Sequence, residues 1–225
     1  MNLIIKGMEC MNSHDSHRGI LGRLAEMKRI YTVIESSISH LGCVVVSSGI
    51  QREGKSTLAV GIAMAAAQRN DTSVLLVDFH WYAPALHQFF GLECGDRVED
   101  YTQDGDLDTI VRKTSIENLY LLPALKDQGL SRRNNDDMSR TSLALLKKAK
   151  SHYGVIIVDT APAFPTNYRM IDPVEVTKAS DGVVLVTLTN VTPRQHLKRT
   201  CTTIETSGGN ILGIVANQWL NPMAS

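Results

Sequence analysis

Eight consecutive residues, Gly49, Ile50, Gln51, Arg52, Glu53, Gly54, Lys55 and Ser56, fit the spacing G-x-x-x-x-G-K-[ST] without a gap, and Thr57 follows directly. Glycines allow a backbone to wrap closely around a phosphate. The N–H groups at a helix start supply donors and positive potential for the anion. In such a loop Lys55 reaches the β- and γ-phosphates and the Ser56 hydroxyl ligates Mg²⁺. Gly49, Gln51, Arg52, Glu53, Gly54 and Thr57 supply the rest of the cradle. The alternative is a glycine-bearing strand-to-helix turn with one exposed lysine.

Context decides between these. Cys43–Val46 is a short apolar run of the length of a buried strand, β-branched after its first residue. Leu58–Ala67 is alanine-rich and suits a helix packed tightly on a sheet. Strand, glycine loop, helix is the order that a nucleotide phosphate site requires.

Two further runs end in a carboxylate: Ser73–Asp78 (SVLLVD) and Gly154–Asp159 (GVIIVD). In an open parallel sheet the ligand lies beyond the carboxyl ends of the strands, so Asp78 and Asp159 face it. A carboxylate buried there costs desolvation unless a cation or hydrogen bonds offset it. Mg²⁺ on nucleotide phosphates favours one or two carboxylates, phosphate oxygens and water, so Ser56, Asp78 and Asp159 form the expected metal set. Either aspartate could instead cap the segment that follows it. Asn217, after the last apolar run, could read the donor–acceptor edge of a purine or serve as a turn residue.

Further segments complete the pattern. Leu119–Leu122, Gly182–Thr187 and Ile211–Ala216 read as strands. Helices are expected from Ile20, with Leu21, Leu24, Met27 and Ile30 or Tyr31 on one face, around Met138–Ala149, and after Pro193. Glu93–Arg112 is polar and Lys126–Asp137 is a charged loop. Apolar strands alternating with helices define an α/β fold, a mostly parallel sheet with helices on both faces.

The 225 residues are 43% hydrophobic, enough for one cored domain. Residues 1–19 read as a flexible leader and 20–225 as a single domain. In the leader, His14 and His17 could hold a metal, although a solvated segment accounts for them as well. Lys+Arg and Asp+Glu are both 23, a zero balance that argues against a dedicated nucleic-acid partner. Cys10, Cys43, Cys94 and Cys201 form no C-x-x-C pair, which points to a reducing compartment. No apolar run approaches the ~20 residues of a membrane helix. A cytoplasmic protein is expected.

With these motifs in place the chain resembles the cytoplasmic bacterial tyrosine kinases of capsule and exopolysaccharide export, relatives of the MinD and ParA ATPases. SSGIQREGKST matches their first phosphate loop, SVLLVDFHWYAPALHQFFGL their second signature, and GVIIVDTAP their apolar-run-plus-D-x-x-P motif; VEDYTQDGDLDTIVRKTSIENLYLLPAL, SDGVVLVTLTNVT and ILGIVANQW also read like family sequence. The resemblance implies a P-loop NTPase fold, ATP or ADP with Mg²⁺, and tyrosine phosphorylation in exopolysaccharide biosynthesis. It also implies a membrane polysaccharide co-polymerase as activator, peripheral placement at the inner membrane through that partner, homo-oligomers through the 20–38 helix, catalytic roles for Lys55 and Asp78, and an adenine contact at Asn217.

Departures accompany the match. The family's D-x-D-x-R appears as Asp78, His80 and Tyr82, so a histidine stands where an aspartate assists the metal and deprotonates tyrosine. Histidine, ordinarily titrating near neutrality, can act as a base, but it is a poorer Mg²⁺ ligand. The subunit-joining E-x-x-R-x-x-R appears as Glu26, Arg29 and Thr32, and the closing NQWLNPMAS holds no tyrosine cluster. Ile50 occupies the place of the MinD and ParA signature lysine. A non-phosphorylating ATP/ADP-binding regulator and a ParA/MinD-like ATPase are therefore alternative readings.

Overall fold

The structure, a computed structural model, describes residues 24–38, 42–69, 72–95, 107–125, 135–164 and 171–217. The leader and the histidines at 14 and 17 lie outside them, as do Gln218 and Trp219. Seven strands, β1 (Cys43–Ser48), β2 (Val74–Asp78), β3 (Arg112–Lys113), β4 (Leu119–Leu122), β5 (Val155–Asp159), β6 (Gly182–Leu188) and β7 (Ile211–Asn217), form one sheet in the order β3-β4-β2-β5-β1-β6-β7. Every pairing is parallel except the short β3–β4 contact at the edge. This is the expected P-loop NTPase architecture.

Side chains alternate across the sheet and so build two cores. Val44, Val46, Val74, Leu76, Ile157 and Val186 point to one face, where α2 (Lys55–Arg69) packs. Val45, Leu75, Val77, Ile156, Val158 and Leu185 point to the other. That second face is covered by α5 (Asn135–Ala149) through Leu145 and Leu146, by α6 (Pro173–Lys178) through Val176, and by α7 (Arg194–Thr206) through Ile204. Both faces being dry explains why the strands read as continuous apolar runs.

Helix α1 (Leu24–Ser37) packs beside α2 on the first face, with Met27, Ile30, Tyr31 and Ile34 all buried and Ile30 and Ile34 facing Val184 of β6 and Val215 of β7. Gly61 permits the approach: a Cβ there would stand 2.6 Å from the Met27 sulfur. At the far end Arg69 of α2 pairs with Glu35 at 2.9 Å and bonds the Thr32 hydroxyl. Thr32, which stands at the second arginine position of E-x-x-R-x-x-R, is thus bonded within its own chain.

The polar Glu93–Arg112 stretch contains structure that its composition hid. α4 (Leu107–Ile110) buries Leu107 and Ile110, and Arg112 begins β3. Another single turn, α3 (Leu86–Phe89), follows β2. Helix α5 starts at Asn135, inside the segment read as a charged loop.

Ile157 sits at the centre of the sheet, fully buried between β2 and β1. Ile157→Ala should cost about 2–5 kcal/mol, read as a lower denaturation midpoint with an unchanged denaturant slope.

Candidate functional site

The phosphate loop leaves β1 at Ser48 and enters α2 at Lys55. Two residues in it take left-handed backbone, Arg52 (φ 62°) and Gly54 (φ 92°). Gly54 has no room for a side chain, because a Cβ would stand 2.5 Å from the Asn217 amide nitrogen. Gly49 is equally confined: a Cβ would meet the Thr200 hydroxyl of α7 at 2.7 Å. Both glycines therefore permit the close approach of a neighbouring side chain.

Inside the loop, the Ser48 hydroxyl donates to the Ile50 carbonyl at 2.6 Å, and the Lys55 ammonium donates to that hydroxyl at 3.1 Å. Lys55 is buried, which pulls its pKa below the usual lysine range, while the negative charges of Asp159 and Glu53 act the other way. The loop after β5 is stitched to β1: Thr160 donates to the Val46 carbonyl at 3.1 Å, and Ala163 N–H to the Ser48 carbonyl at 2.7 Å.

Asp78 and Asp159 close adjacent strands and stand side by side in register, both buried. Their surroundings differ sharply. Asp78 accepts three backbone N–H groups, from His80 at 3.0 Å and from Ala85 and Leu86 at 3.1 Å each, so it holds the turn into α3. The capping alternative for Asp78 is thus what its hydrogen bonds perform. Neither carboxylate oxygen of Asp159 has a hydrogen-bond partner of good geometry, although the Ser56 hydroxyl and the Thr160 N–H lie near enough to favour its charge weakly. Burial above all, and then the Asp78 charge, push its pKa up to about 7, with Lys55 the main opposing influence. A buried, unpartnered carboxylate beside a buried lysine and under a phosphate loop fits a hard divalent cation. Among the described residues no cluster of three or more His, Cys, Asp or Glu is assembled to hold a metal without such added oxygens.

His80 stands half-buried next to this group, with its Nε2 buried and unbonded. The near-neutral pKa expected of it does not hold: burial, with the Lys55 charge second, lowers it to about 4. At neutral pH it is an uncharged imidazole and a weak base. Tyr82, two residues on, is 58% exposed.

Asn217 is the last residue of β7, so it is not a turn residue. Its side-chain nitrogen donates to the Glu53 carbonyl at 3.0 Å, whereas its buried side-chain oxygen has no partner. Of the remaining cradle residues, Gln51 and Arg52 are exposed, and Ser56 and Thr57 half-buried at the start of α2. Glu53 departs from the simple cradle reading. Its side chain is fully buried and bonded to Ile50 N–H, Leu188 N–H and the Thr192 hydroxyl, so it meets protein instead of ligand. Sequence reasoning missed Ser48, Thr192 and Thr200. Ser48 could have been noticed as the hydroxyl just ahead of the glycine loop; nothing in the sequence flags the other two.

No protein-family model matches the chain. The tyrosine-protein kinase CpsD of Streptococcus pneumoniae is 28% identical over 196 residues, covering 83% of this chain and 80% of that protein. The virulence plasmid ParA family protein pGP5-D of Chlamydia psittaci is 34% identical over 186 residues, 74% of this chain and 65% of that protein. Among solved structures, the chimerical protein CapA2B2 superposes with a TM-score of 0.77 at 23% identity, covering 96% of this chain and 94% of the other. The septum site-determining protein MinD from Pyrococcus horikoshii, complexed with Mg-ADP, gives 0.63 at 20% identity over 81% of this chain and 74% of the other. These structural likenesses concern the fold.

Because the folded chain holds the Asp159 proton more tightly than the unfolded chain, whose carboxyl ionises near pH ~4, this group's contribution to stability is complete below that pH. It is lost as pH rises through about 7. Without nucleotide, Asp159→Asn should match the parent below pH ~4 and exceed it at pH 8 by on the order of 2–4 kcal/mol. Chemical denaturation at both pH values measures this. A less stable Asp159→Asn chain at pH 8 would show that the carboxylate is compensated after all.

Proposed function

We propose, from the premise that this chain is a divergent P-loop ATPase of the kinship joining the bacterial tyrosine kinases to MinD and ParA, that it binds Mg-ATP and Mg-ADP and serves exopolysaccharide or capsule biosynthesis through ATP-dependent tyrosine phosphorylation. The observation that carries the nucleotide reading is Asp159, buried with both oxygens unbonded beside Lys55. Ser56 and Asp159 would hold the Mg²⁺, with the remaining lone pairs of Asp78 completing the protein's share. Bound there, Mg²⁺ supplies neutralisation of phosphate charge. Lys55 exchanges its bond to Ser48 for the β- and γ-phosphates. The backbone from Gly49 to Thr57 holds the phosphates still, and the unbonded oxygen of Asn217 accepts from the adenine amino group. Catalysis in such a site is chiefly positioning and electrostatic stabilisation.

His80 favours a second reading. With its pKa near 4, it draws a proton from a tyrosine hydroxyl poorly, so the chain would bind nucleotide and regulate assembly without transferring phosphate. In either case the kinship suggests work beside a membrane polysaccharide co-polymerase, peripheral to the inner membrane, with self-association through the 20–38 helix. No described helix is long and apolar enough to cross a membrane itself.

Calorimetric titration in Mg²⁺ should show saturable binding of ATP and ADP, weakened at least about tenfold in Lys55→Met. Heat-silent titrations with both nucleotides, backed by no protection against unfolding, would sink the proposal. Labelled ATP separates the two readings. Tyrosine label that Lys55→Met abolishes supports the kinase, whereas label appearing only in His80→Asp supports the regulator.

A further inference from the structure

Glu53 is a fully buried acidic residue inside a loop whose business is to attract phosphate, and its charge is spent elsewhere. One carboxylate oxygen accepts Ile50 N–H at 2.9 Å and so closes the loop upon itself. The other accepts Leu188 N–H at 3.2 Å and the Thr192 hydroxyl, which lie at the end of β6 and before α7. Thr192 in turn accepts Leu188 N–H at 3.0 Å. The Glu53 main chain makes a third attachment, its carbonyl accepting the Asn217 amide nitrogen at 3.0 Å. Asn217 then closes the circuit, because its own carbonyl accepts Thr189 N–H at 2.7 Å. Loop, β6 end and β7 end are thus joined in one ring of hydrogen bonds that passes twice through Glu53.

The ring fixes which end of the Asn217 amide is offered. The nitrogen is committed to Glu53, and Gly54 crowds it from the adjoining position. The oxygen, buried and unbonded, is what remains. An acceptor fixed in that place suits the amino edge of adenine and opposes the oxo edge of guanine. We propose that Glu53 is a positioning residue which pins the Asn217 amide, and so couples recognition of the base to the set of the phosphate loop. The inference rests on the nucleotide reading above and adds to it what holds the base-reading amide in place.

The test uses the full chain and three probes, Mg-ATP, Mg-GTP and Mg-tripolyphosphate, titrated calorimetrically against the parent, Glu53→Gln and Thr192→Val, each with and without Asn217→Ala. A glutamine keeps the volume of Glu53 but accepts with only one atom, so it cannot serve all three donors. Thr192→Val loosens the same ring from outside the loop, by removing the hydroxyl that donates to Glu53. In the parent, ATP should bind at least about tenfold tighter than GTP, and Asn217→Ala should remove most of that difference. In Glu53→Gln and in Thr192→Val, the ATP preference should fall and the Asn217→Ala penalty should shrink to less than about twofold, while tripolyphosphate affinity falls by a clearly smaller factor than ATP affinity. Equal loss for ATP and tripolyphosphate, or an undiminished Asn217→Ala penalty, would overturn the coupling while leaving nucleotide binding intact. A parent that binds none of the probes would remove the nucleotide reading and this inference with it.

Discussion

Two carboxylates meet at the carboxyl end of the sheet, on neighbouring strands, in register and out of water. Like charges so placed cannot both stay ionised without help, and the help is distributed unequally. The turn from His80 to Leu86 bends its N–H groups onto Asp78. Asp159 is left with the field of Lys55 as its main favourable influence, and the Ser56 hydroxyl and Thr160 N–H contribute less. The sheet order makes this unavoidable, since β5 lies between β2 and β1 and brings Asp159 beneath the loop that leaves β1. The site is therefore a fold with one anionic valence unspent.

Around that valence the loop is held by contacts that leave little slack. Its two left-handed residues, the confined glycines and the Ser48–Lys55 bond fix its shape from inside. Thr200, Thr192 and Asn217 fix it from outside, from elements far along the chain. A loop so braced presents its N–H groups already oriented, and binding need not supply the ordering energy.

Much of this was legible from residue type and spacing. The apolar runs ending in Asp78 and Asp159 located their strands because strands buried on both faces must be apolar throughout. The glycine loop declared itself through its spacing. What stayed hidden arises from contacts without local pattern. β3 is a two-residue edge of arginine and lysine, and α3 and α4 are single turns, all too short for a period to emerge. Glu53 looked like a cradle residue because its partners, Leu188 and Thr192, lie more than 130 positions away. His80 looked like a near-neutral base because exposure cannot be judged from one residue, and it is burial that removes its basicity.

Helix α1 meets α2 near Gly61 and at Arg69, and between these its Ile30 and Ile34 join the core of the sheet's first face. Fifteen residues of α-helix make a rod of about 22 Å. Lys55 and Ser56 form one tip of that rod, and Arg69 forms the other. A single rigid element therefore joins the surface that α1 covers to the residues that open the phosphate loop's helix.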